Sequence, residues 1–434
     1  MSALKNQPIK TNKAEEWTLR LLDDLFGKEG GEKVRVRLWN NEYWLDDSPK
    51  PATIVLNHPG ALRSMFLPGT EVGLAEAYLY DDFDIKGDIE SVFDLAEILS
   101  NKVSNTHKKL SIAADVLHLP KIENPHPTNR KPAHLSGKRH SIERDQKAIA
   151  YHYNVSNDFY ALWLDDRMIY SCAYFHSPEE DLNTAQERKL DYLCKKLRLK
   201  PGQRLLDLGC GWGGLVIHAA KNYGVDATGI TTSQPQVELA NERIRTAGLS
   251  DHCRVILKDY RQVDDFEKYD ALASVGMFEH VGADLLPVYF EQAYKLLKPG
   301  GVFLNHGIAK RENDERLHRP TFSEVYVFPD GELTPINVSL HAAEISGFEV
   351  RDVESLREHY AITLRKWVQR LEANHSQALN YVDEPTYRVW RLFMSGSAHG
   401  FANGRLNVYQ SLLLKPLENG KSGYPLTRKD WYEY

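Results

Sequence analysis

The sequence has few cysteines, no long apolar run and no excess of basic residues. Its four cysteines, at 172, 194, 210 and 253, are widely separated, which argues against a disulfide framework and against a zinc site. No window approaches the roughly 20 apolar residues that a membrane span needs, and the first residues lack the apolar core of a signal peptide. With 54 Lys and Arg against 60 Asp and Glu, a general nucleic-acid-binding protein is disfavoured. We expect a cytoplasmic protein that binds neither a metal nor nucleic acid.

The length and the punctuation of the sequence predict two domains. The 434 residues exceed the size at which one hydrophobic core usually stops growing. Residues 1–119 combine an amphipathic helix at 14–27 with strand-like runs at 34–39 and 52–57, the pattern of a small α+β unit. Its helical stripes suit an ordinary core, with a surface that touches lipid as the alternative.

A proline-rich segment, residues 120–141, is predicted to link this unit to the rest of the chain. Its prolines are Pro120, Pro125, Pro127 and Pro132. Basic residues are concentrated in and just after it, namely Arg130, Lys131, Lys138, Arg139, His140 and Arg144. Two interpretations stay open: a solvated linker, or a patch that binds anionic lipid headgroups.

From residue 142 to 434 the pattern changes to alternating strands and helices, which predicts an α/β domain with a doubly wound, Rossmann-like parallel sheet. The predicted strands include RLLDLG at 204–209, VDATGIT at 225–231, CRVILKD at 253–259, YDALASVG at 269–276 and GVFLNHG at 301–307. A sheet of this kind binds its ligand at the carboxyl ends of the strands.

A glycine-rich turn follows the first of these strands. Gly209, Gly211 and Gly214 satisfy the G-x-G-x-x-G pattern of dinucleotide-binding folds. Two features disfavour a dinucleotide. Asp207 stands beside the loop, where it would repel a pyrophosphate but accept a hydrogen bond from an amine. About 20 residues on, where an acid for the ribose is expected, the chain has the run 231–233, Thr-Thr-Ser.

The run LLDLGCGWGG at 205–214 resembles the first motif of S-adenosylmethionine (AdoMet)-dependent methyltransferases, and more narrowly of the cyclopropane-fatty-acyl-phospholipid synthase family. Further matches span most of 142–434; they are HYNVSNDFY at 152–160, MIYSCAYF at 168–175, MFEHVG at 277–282 and LNHGIA at 304–309. Asn154 and Ser156 depart from the family pattern. Ser397 stands where the family often has a cysteine, which we interpret as dispensable.

The resemblance implies that AdoMet is the co-substrate and that the glycine loop holds its amino-acid end. The residues implied for AdoMet binding are Tyr170, Ser171, Asp207, Gly209, Gly211, Gly213, Thr231, Ser233, Gln236, Asp259 and Tyr260. Among them the T-x-S-x-x-Q run replaces the missing ribose acid, and the last two are expected at the adenine.

The reaction implied by the resemblance is methyl transfer to an alkene, followed by loss of a proton from the resulting carbocation to close a cyclopropane ring. In the family the base is a bound bicarbonate. The residues implied to hold it are Cys172, Glu279, His306, Tyr360 and the backbone near Ile308. Taken singly, Cys172 could be a buried apolar residue and Glu279 a helix cap. The aromatic side chains at 153, 159, 160, 174 and 175 suit either a cation or an ordinary core.

The expected substrate is therefore an unsaturated phospholipid, reached by a homodimer at the inner face of the membrane, with the first domain serving lipid engagement or dimerisation. Three alternatives stay open. The carbocation could instead yield a methyl branch or a methylene group. The chain could be an amine N-methyltransferase, since some of these share the boxes at 168–175 and 277–282. It could also be a catalytically silent lipid-binding scaffold that retains AdoMet.

Overall fold

The computed structural model describes residues 11–102, 106–122, 130–153, 155–312 and 320–432. Pro125, Pro127 and Asn154, which the sequence singled out, lie outside these ranges. The chain forms two compact units. Unit 1 comprises Met1–Pro132, Leu317–Tyr326 and Asp383–Gly396, and unit 2 comprises Ala133–Arg316, Val327–Val382 and Ser397–Tyr434. Two segments that sequence patterns placed in the 142–434 domain thus belong to unit 1.

The regular elements follow one another in this order. The strands are β1 (Val34–Arg37), β2 (Tyr43–Trp44), β3 (Ala52–Leu56), β4 (Phe83–Gly87), β5 (Arg204–Leu208), β6 (Asp226–Thr231), β7 (Cys253–Leu257), β8 (Tyr269–Val275), β9 (Leu297–Lys310), β10 (Glu349–Ser355) and β11 (Leu406–Leu414). The helices are α1 (Thr11–Leu25), α2 (Gly27–Lys33), α3 (Ala61–Phe66), α4 (Glu71–Leu79), α5 (Phe93–Lys102), α6 (Thr106–Val116), α7 (Ile142–Tyr153), α8 (Asn157–Ala161), α9 (Leu182–Lys196), α10 (Gly214–Tyr223), α11 (Gln234–Thr246), α12 (Leu286–Leu296), α13 (Phe322–Tyr326), α14 (Ile336–Ile345), α15 (Arg357–Ala373), α16 (His375–Ala378) and α17 (Glu384–Ala402).

Unit 1 is built on a four-stranded sheet in the order β2-β1-β3-β4, of which only the β1–β3 pair is parallel. Helix α1 buries Leu21, Leu22 and Leu25, the apolar side predicted from the 3.6-residue period. The patterns did not predict α2 or β4. Helix α2 has the sequence GKEGGEK, and glycine is a poor helix former, so its propensity pointed away from a helix.

Two of the six basic residues in and after the linker are held by the protein, whereas Lys131, Lys138 and Arg139 are exposed. Within unit 1, Arg130 is buried and donates to the carbonyl oxygen of Tyr326 at 2.6 Å. Within unit 2, Arg144 forms a two-pronged ion pair with Asp330, with N–O distances of 2.5 and 2.9 Å. These two cations are held by the protein, which removes them from a headgroup patch.

Unit 2 is built on a seven-stranded sheet in the order β10-β11-β9-β8-β5-β6-β7. Strands β5 to β9 run parallel, whereas β11 is antiparallel to both of its neighbours. The predicted α/β sheet is therefore confirmed, with β11 and β10 added at one edge; of these two, only β11 runs against the direction of the other strands. The chain leaves β5 towards β6 on one side and returns as β8 on the other. Such a reversal opens a crevice at the carboxyl ends of β5 and β8.

Apolar layers cover both faces of this sheet. One layer includes residues of α9 and α10 and the other residues of α12 and α14. Within the described ranges, no helix has the length and apolar character that crossing a membrane requires.

Candidate active site

A cavity opens where β5 and β8 diverge, and most of the residues predicted to bind the co-substrate line it. Those on its wall are Tyr170, Ser171, Asp207, Gly209, Gly211, Thr231, Gln236, Asp259 and Tyr260. Gly213 and Ser233 are not on the wall. Gly213 instead occupies the N-terminus of α10, where a side chain would press on Ala240 of α11.

At Gly209, the glycine loop after β5 passes too close to Met277 for a side chain. Gly209 has a φ of +80°, and a Cβ atom there would lie 2.8 Å from the Cβ and Cγ atoms of Met277. A left-handed backbone and this close approach both require glycine. At Gly209 the loop can therefore present its backbone to a ligand in the cavity.

Asp207, the last but one residue of β5, places a buried carboxyl group beside this loop. Its Oδ1 atom has no hydrogen-bond partner among the described residues. Burial raises the pKa of Asp207 to about 7, and the nearby ammonium of Lys189 offsets part of that rise. An unpartnered buried carboxylate is costly unless a cation meets it. Asp207 is thus suited to an ammonium group on a ligand.

The polar groups after β6 and β7 complete this side of the cavity. The Thr231 hydroxyl donates to Gln236 Oε1 at 2.6 Å. Asp259 caps the turn that follows it by accepting from the Arg261 backbone N–H, and it also binds the Arg261 guanidinium at 2.8 Å. The buried hydroxyl of Tyr260 has no partner within the described part of the chain. These groups offer acceptors and a donor to a polar ligand.

Glu279, one of the residues predicted to act in catalysis, is not on the wall of this cavity. It lies in a short 3-10 turn after β8 and is buried. Its Oε1 atom accepts from the backbone N–H of Ile308 at 2.7 Å, whereas Oε2 has no partner among the described residues. Burial raises the pKa of Glu279 to about 7. The sequence assigned the Ile308 N–H to an anion; here it is satisfied by Glu279.

Tyr360 lies near both Cys172 and Glu279. Burial raises the pKa of Tyr360 well above its usual value, and the ionised forms of Cys172 and Glu279 add to that rise. The fully buried Cys172 has its pKa raised by desolvation as well, and its thiol donates to backbone carbonyl oxygens of Ala173 and Leu356. Both groups therefore remain protonated, so the cysteine is not a thiolate nucleophile.

His306 lies on β9, and its backbone carbonyl accepts from Gly276 at the end of β8. Its side chain is almost fully buried, which lowers the pKa well below the usual value, so the ring is neutral. Nδ1 lies 3.3 Å from Gln410 Nε2, and Nε2 has no partner within the described ranges. Glu279 and Ile308 are joined by a hydrogen bond, but among the described residues the His306 side chain bonds to none of the other predicted catalytic residues.

Aromatic side chains line part of the cavity, but most of them are not the aromatic residues that the sequence predicted. Of the five proposed from sequence, only Tyr153 lines the cavity, where Tyr170 and Trp212 join it. The ring of Tyr153 meets those of Tyr170 and Trp212 edge-on, both at 6.2 Å. Tyr174 stacks on His359 instead.

Several residues on the wall were missed by the sequence. Lys189 of α9 is only 1% exposed and donates to the Ser171 hydroxyl at 2.9 Å. Arg261 and Gly276 also line the cavity; Gly276 directly follows β8, so the rule that ligands bind at strand carboxyl ends could have found it. Among the residues described, no three His, Cys, Asp or Glu side chains group as metal ligands would.

Comparisons with known proteins agree on one group. A family model described as mycolic acid cyclopropane synthetase matches residues 140–411. A probable fatty acid methyltransferase of Pseudomonas putida is 38% identical over 92% of this chain and 96% of its own. The cyclopropane-fatty-acyl-phospholipid synthase of Escherichia coli K12 is 35% identical over 62% of this chain and 68% of its own. A mycolic acid cyclopropane synthase solved with SAH is 34% identical and covers 62% of this chain and 98% of that one, with a TM-score of 0.59.

Proposed function

The chain belongs to the mycolic acid cyclopropane synthetase family, and from this premise we propose that it converts the cis double bond of unsaturated phospholipid acyl chains into a cyclopropane ring. Membership confirms the predicted family, the predicted AdoMet-dependent methyltransferase activity and the predicted fold. The substrate class is supported by the relatives, two of which are named for acting on fatty acyl chains.

The cavity fits AdoMet as the methyl donor. The free carboxylate oxygen of Asp207 suits the ammonium of its amino-acid end, and the glycine loop allows the backbone close to it. Asp259 and Tyr260 stand at the far strand ends, where the ribose and adenine would find polar partners. Tyr153, Tyr170 and Trp212 present aromatic rings, which attract a sulfonium.

The observation that carries the proposal is the buried carboxyl group of Glu279 with one unpartnered oxygen. An alkene attacks the methyl carbon of the sulfonium, the carbon–sulfur bond breaks, and its electron pair stays on sulfur. The carbocation that remains must lose a proton from the new methyl group, and the released C–H pair closes the ring. That proton needs an acceptor kept away from water, because water would trap the cation as an alcohol. Glu279 lies in such an environment.

The acceptor that we propose is a bicarbonate ion held by Cys172, Glu279, His306, Tyr360 and the backbone of Ile308. A bicarbonate bound there would supply the base for the methyl proton. The residues fit an anion in part: the Tyr360 hydroxyl stays protonated, and His306 Nε2 is an unpartnered buried atom. Binding through the Ile308 N–H requires its hydrogen bond to Glu279 to be exchanged.

A second candidate product is a methyl-branched or methylene-bearing acyl chain. Loss of a proton from a neighbouring chain carbon leaves a methyl-branched alkene, whereas a hydride shift between the two former alkene carbons, followed by loss of a methyl proton, leaves a methylene group. The similarity along nearly the whole chain to a probable fatty acid methyltransferase favours it.

In either case we propose that the enzyme works as a homodimer at the inner, cytoplasmic face of the membrane, where its acyl substrate is found. Vesicle co-sedimentation and analytical ultracentrifugation test these two points.

The decisive experiment incubates the protein with AdoMet and vesicles of unsaturated phospholipid and identifies the acyl products by mass spectrometry. A ring and a methylene group both add one CH₂, and mild hydrogenation reduces only the methylene product. Recovery of a saturated methyl branch after hydrogenation would overturn the proposal of a ring.

Purging bicarbonate from the buffer is expected to lower the rate, and adding it back to restore the rate. A rate that ignores bicarbonate would rule out that base.

Glu279→Gln tests the carboxyl group without changing its size. We expect ring formation to be lost, because an amide cannot orient the acceptor or take a proton, while AdoMet affinity stays near that of the wild type because Glu279 is off the cavity wall. Calorimetry with AdoMet and the vesicle assay measure the two effects. Loss of both together would mean that Glu279 only supports the fold.

A further inference from the structure

A fully buried lysine lies behind the candidate active site. Lys196, the last residue of α9, is 0% exposed. Its ammonium binds Glu354 Oε2 and Gln410 Oε1, at 2.5 and 2.8 Å, and lies over the rings of Tyr192 and Trp431. A buried ammonium is costly unless it is paired and hydrogen-bonded. These partners compensate the cost of burying the Lys196 ammonium. The proposed reaction uses neither Lys196 nor these partners, so the presence of a buried lysine here calls for another explanation.

The bond from Lys196 fixes the orientation of the Gln410 amide. An ammonium only donates hydrogen bonds, so the Gln410 atom 2.8 Å away must be the oxygen. The amide nitrogen, a donor, is then left facing His306 Nδ1 at 3.3 Å. The two residues are also register partners across β9 and β11, which holds their side chains on the same face of the sheet.

This orientation selects one form of the His306 ring. Nδ1 must accept from the Gln410 amide, so it carries no proton, and the proton of the neutral ring is on Nε2. A doubly protonated ring would set two donors against each other. Burial independently lowers the pKa of His306. The resulting Nε2–H group is a donor without a partner among the described residues.

We propose that Lys196 and Gln410 are positioning residues, which hold His306 in the neutral form protonated at Nε2 so that it donates to the anion at the reacting centre. The proposal rests on the proposed function, in which His306 helps to hold that anion. The opposite tautomer would turn a lone pair towards the anion and repel it. The relay therefore runs from a lysine to an amide to the imidazole, with each group fixing the next.

Gln410→Glu is the sharpest test, because it keeps the shape and retains an oxygen for Lys196. A carboxylate cannot donate, so it would accept from Nδ1–H and move the His306 proton away from Nε2. With histidine labelled by ¹⁵N, the His306 signals, identified by their loss in His306→Asn, report the tautomer directly. We expect the proton on Nε2 in the wild type and on Nδ1 in the variant. We also expect kcat about 10²-fold lower, with the KM for AdoMet within about twofold.

Lys196→Met provides a second variant, in which Gln410 can turn over and both tautomers should appear. Lys415→Met is the matched control. Lys415 is also a buried lysine, just past β11, but it binds the carbonyl of Leu297 and Glu267 at the other end of the strand. The Lys415→Met variant should lower the stability of the protein without changing the His306 signals or kcat.

Three results bear on the proposal separately from the proposed function. A wild-type ring protonated on Nδ1 overturns it, as does a tautomer change in Gln410→Glu that leaves kcat intact. The NMR readout needs no substrate, so it stands even if either variant is poorly active. A wild type with the Nε2–H form that makes no cyclopropane would refute the proposed function but leave the tautomer relay in place.

Discussion

Replacing Lys189 by methionine is expected to shift the pH at which AdoMet binds. Lys189 lines the cavity, and its ammonium is the group that lowers the pKa of the buried Asp207. The ammonium of AdoMet is expected to bind ionised Asp207 only. Since burial raises that pKa to about 7, affinity in the wild type should rise with pH through neutrality. Without Lys189 the Asp207 pKa rises further, and the increase in affinity moves to higher pH.

The expected size follows from the charges. An opposite charge within hydrogen-bonding distance or slightly beyond typically shifts a carboxyl pKa by about one to three units. At a pH well below both midpoints, one unit corresponds to about 1.4 kcal/mol, or about tenfold in affinity; at pH 7 itself the loss is about fivefold, because Asp207 is only about half ionised in the wild type. The variant also leaves the Ser171 hydroxyl without the donor now 2.9 Å away, which adds a loss of about 1–3 kcal/mol in stability.

Isothermal titration calorimetry between pH 6 and pH 9 measures the shift, with thermal unfolding as a check that Lys189→Met is folded. Asp207→Asn is the control, because it removes the titrating group and should give weak binding that hardly changes with pH. The reasoning is refuted if Lys189→Met binds AdoMet with the same pH midpoint as the wild type.

Two further predictions concern glycine and serine positions. Gly209→Ala should lower stability by about 1–3 kcal/mol and weaken AdoMet binding, because its φ is +80° and the new Cβ would collide with Met277; an unchanged melting temperature would contradict this. Ser397→Ala should leave kcat within about twofold, since Ser397 stands on α17, away from the cavity wall; a larger loss in the vesicle assay would show that this position takes part in the reaction.

The sheet of unit 2 was predictable because its strands are short apolar runs that end in glycine or polar residues. The same rule places ligand-binding residues at strand ends, and Asp207, Thr231 and Asp259 are found there. Strand β2, with two residues, and helix α2, rich in glycine, were not predictable, because tertiary contacts rather than local propensity stabilise such elements.

Lys189 and Lys196 show what the sequence concealed. Leu182, Lys189 and Lys196 follow one another at seven-residue spacing along α9, so they share one side of the helix, and all three are buried. A search for apolar periodicity treats lysine as a solvent-exposed residue, so it does not predict that these two lysines are buried. Their burial depends on acceptors supplied by distant segments, such as Ser171 and Gln410, and no local pattern contains that information.

In the proposed reaction, two buried ammonium groups would oppose the formation of a nearby carbocation unless their charge were balanced. Lys189 faces Asp165 and Asp207, and Lys196 binds Glu354, so each cation is compensated within its own cluster. The charges of compensated pairs largely cancel at a distance, because opposite potentials of similar size add. Among the described residues no cation pairs with the Glu279 carboxyl group, whose side-chain hydrogen bond is to a backbone N–H. If the proposed carbocation forms, Glu279 and the anion that we propose it helps to hold would supply a negative potential in addition to that of the aromatic rings, so the free oxygen of Glu279 is the atom on which the proposed chemistry depends.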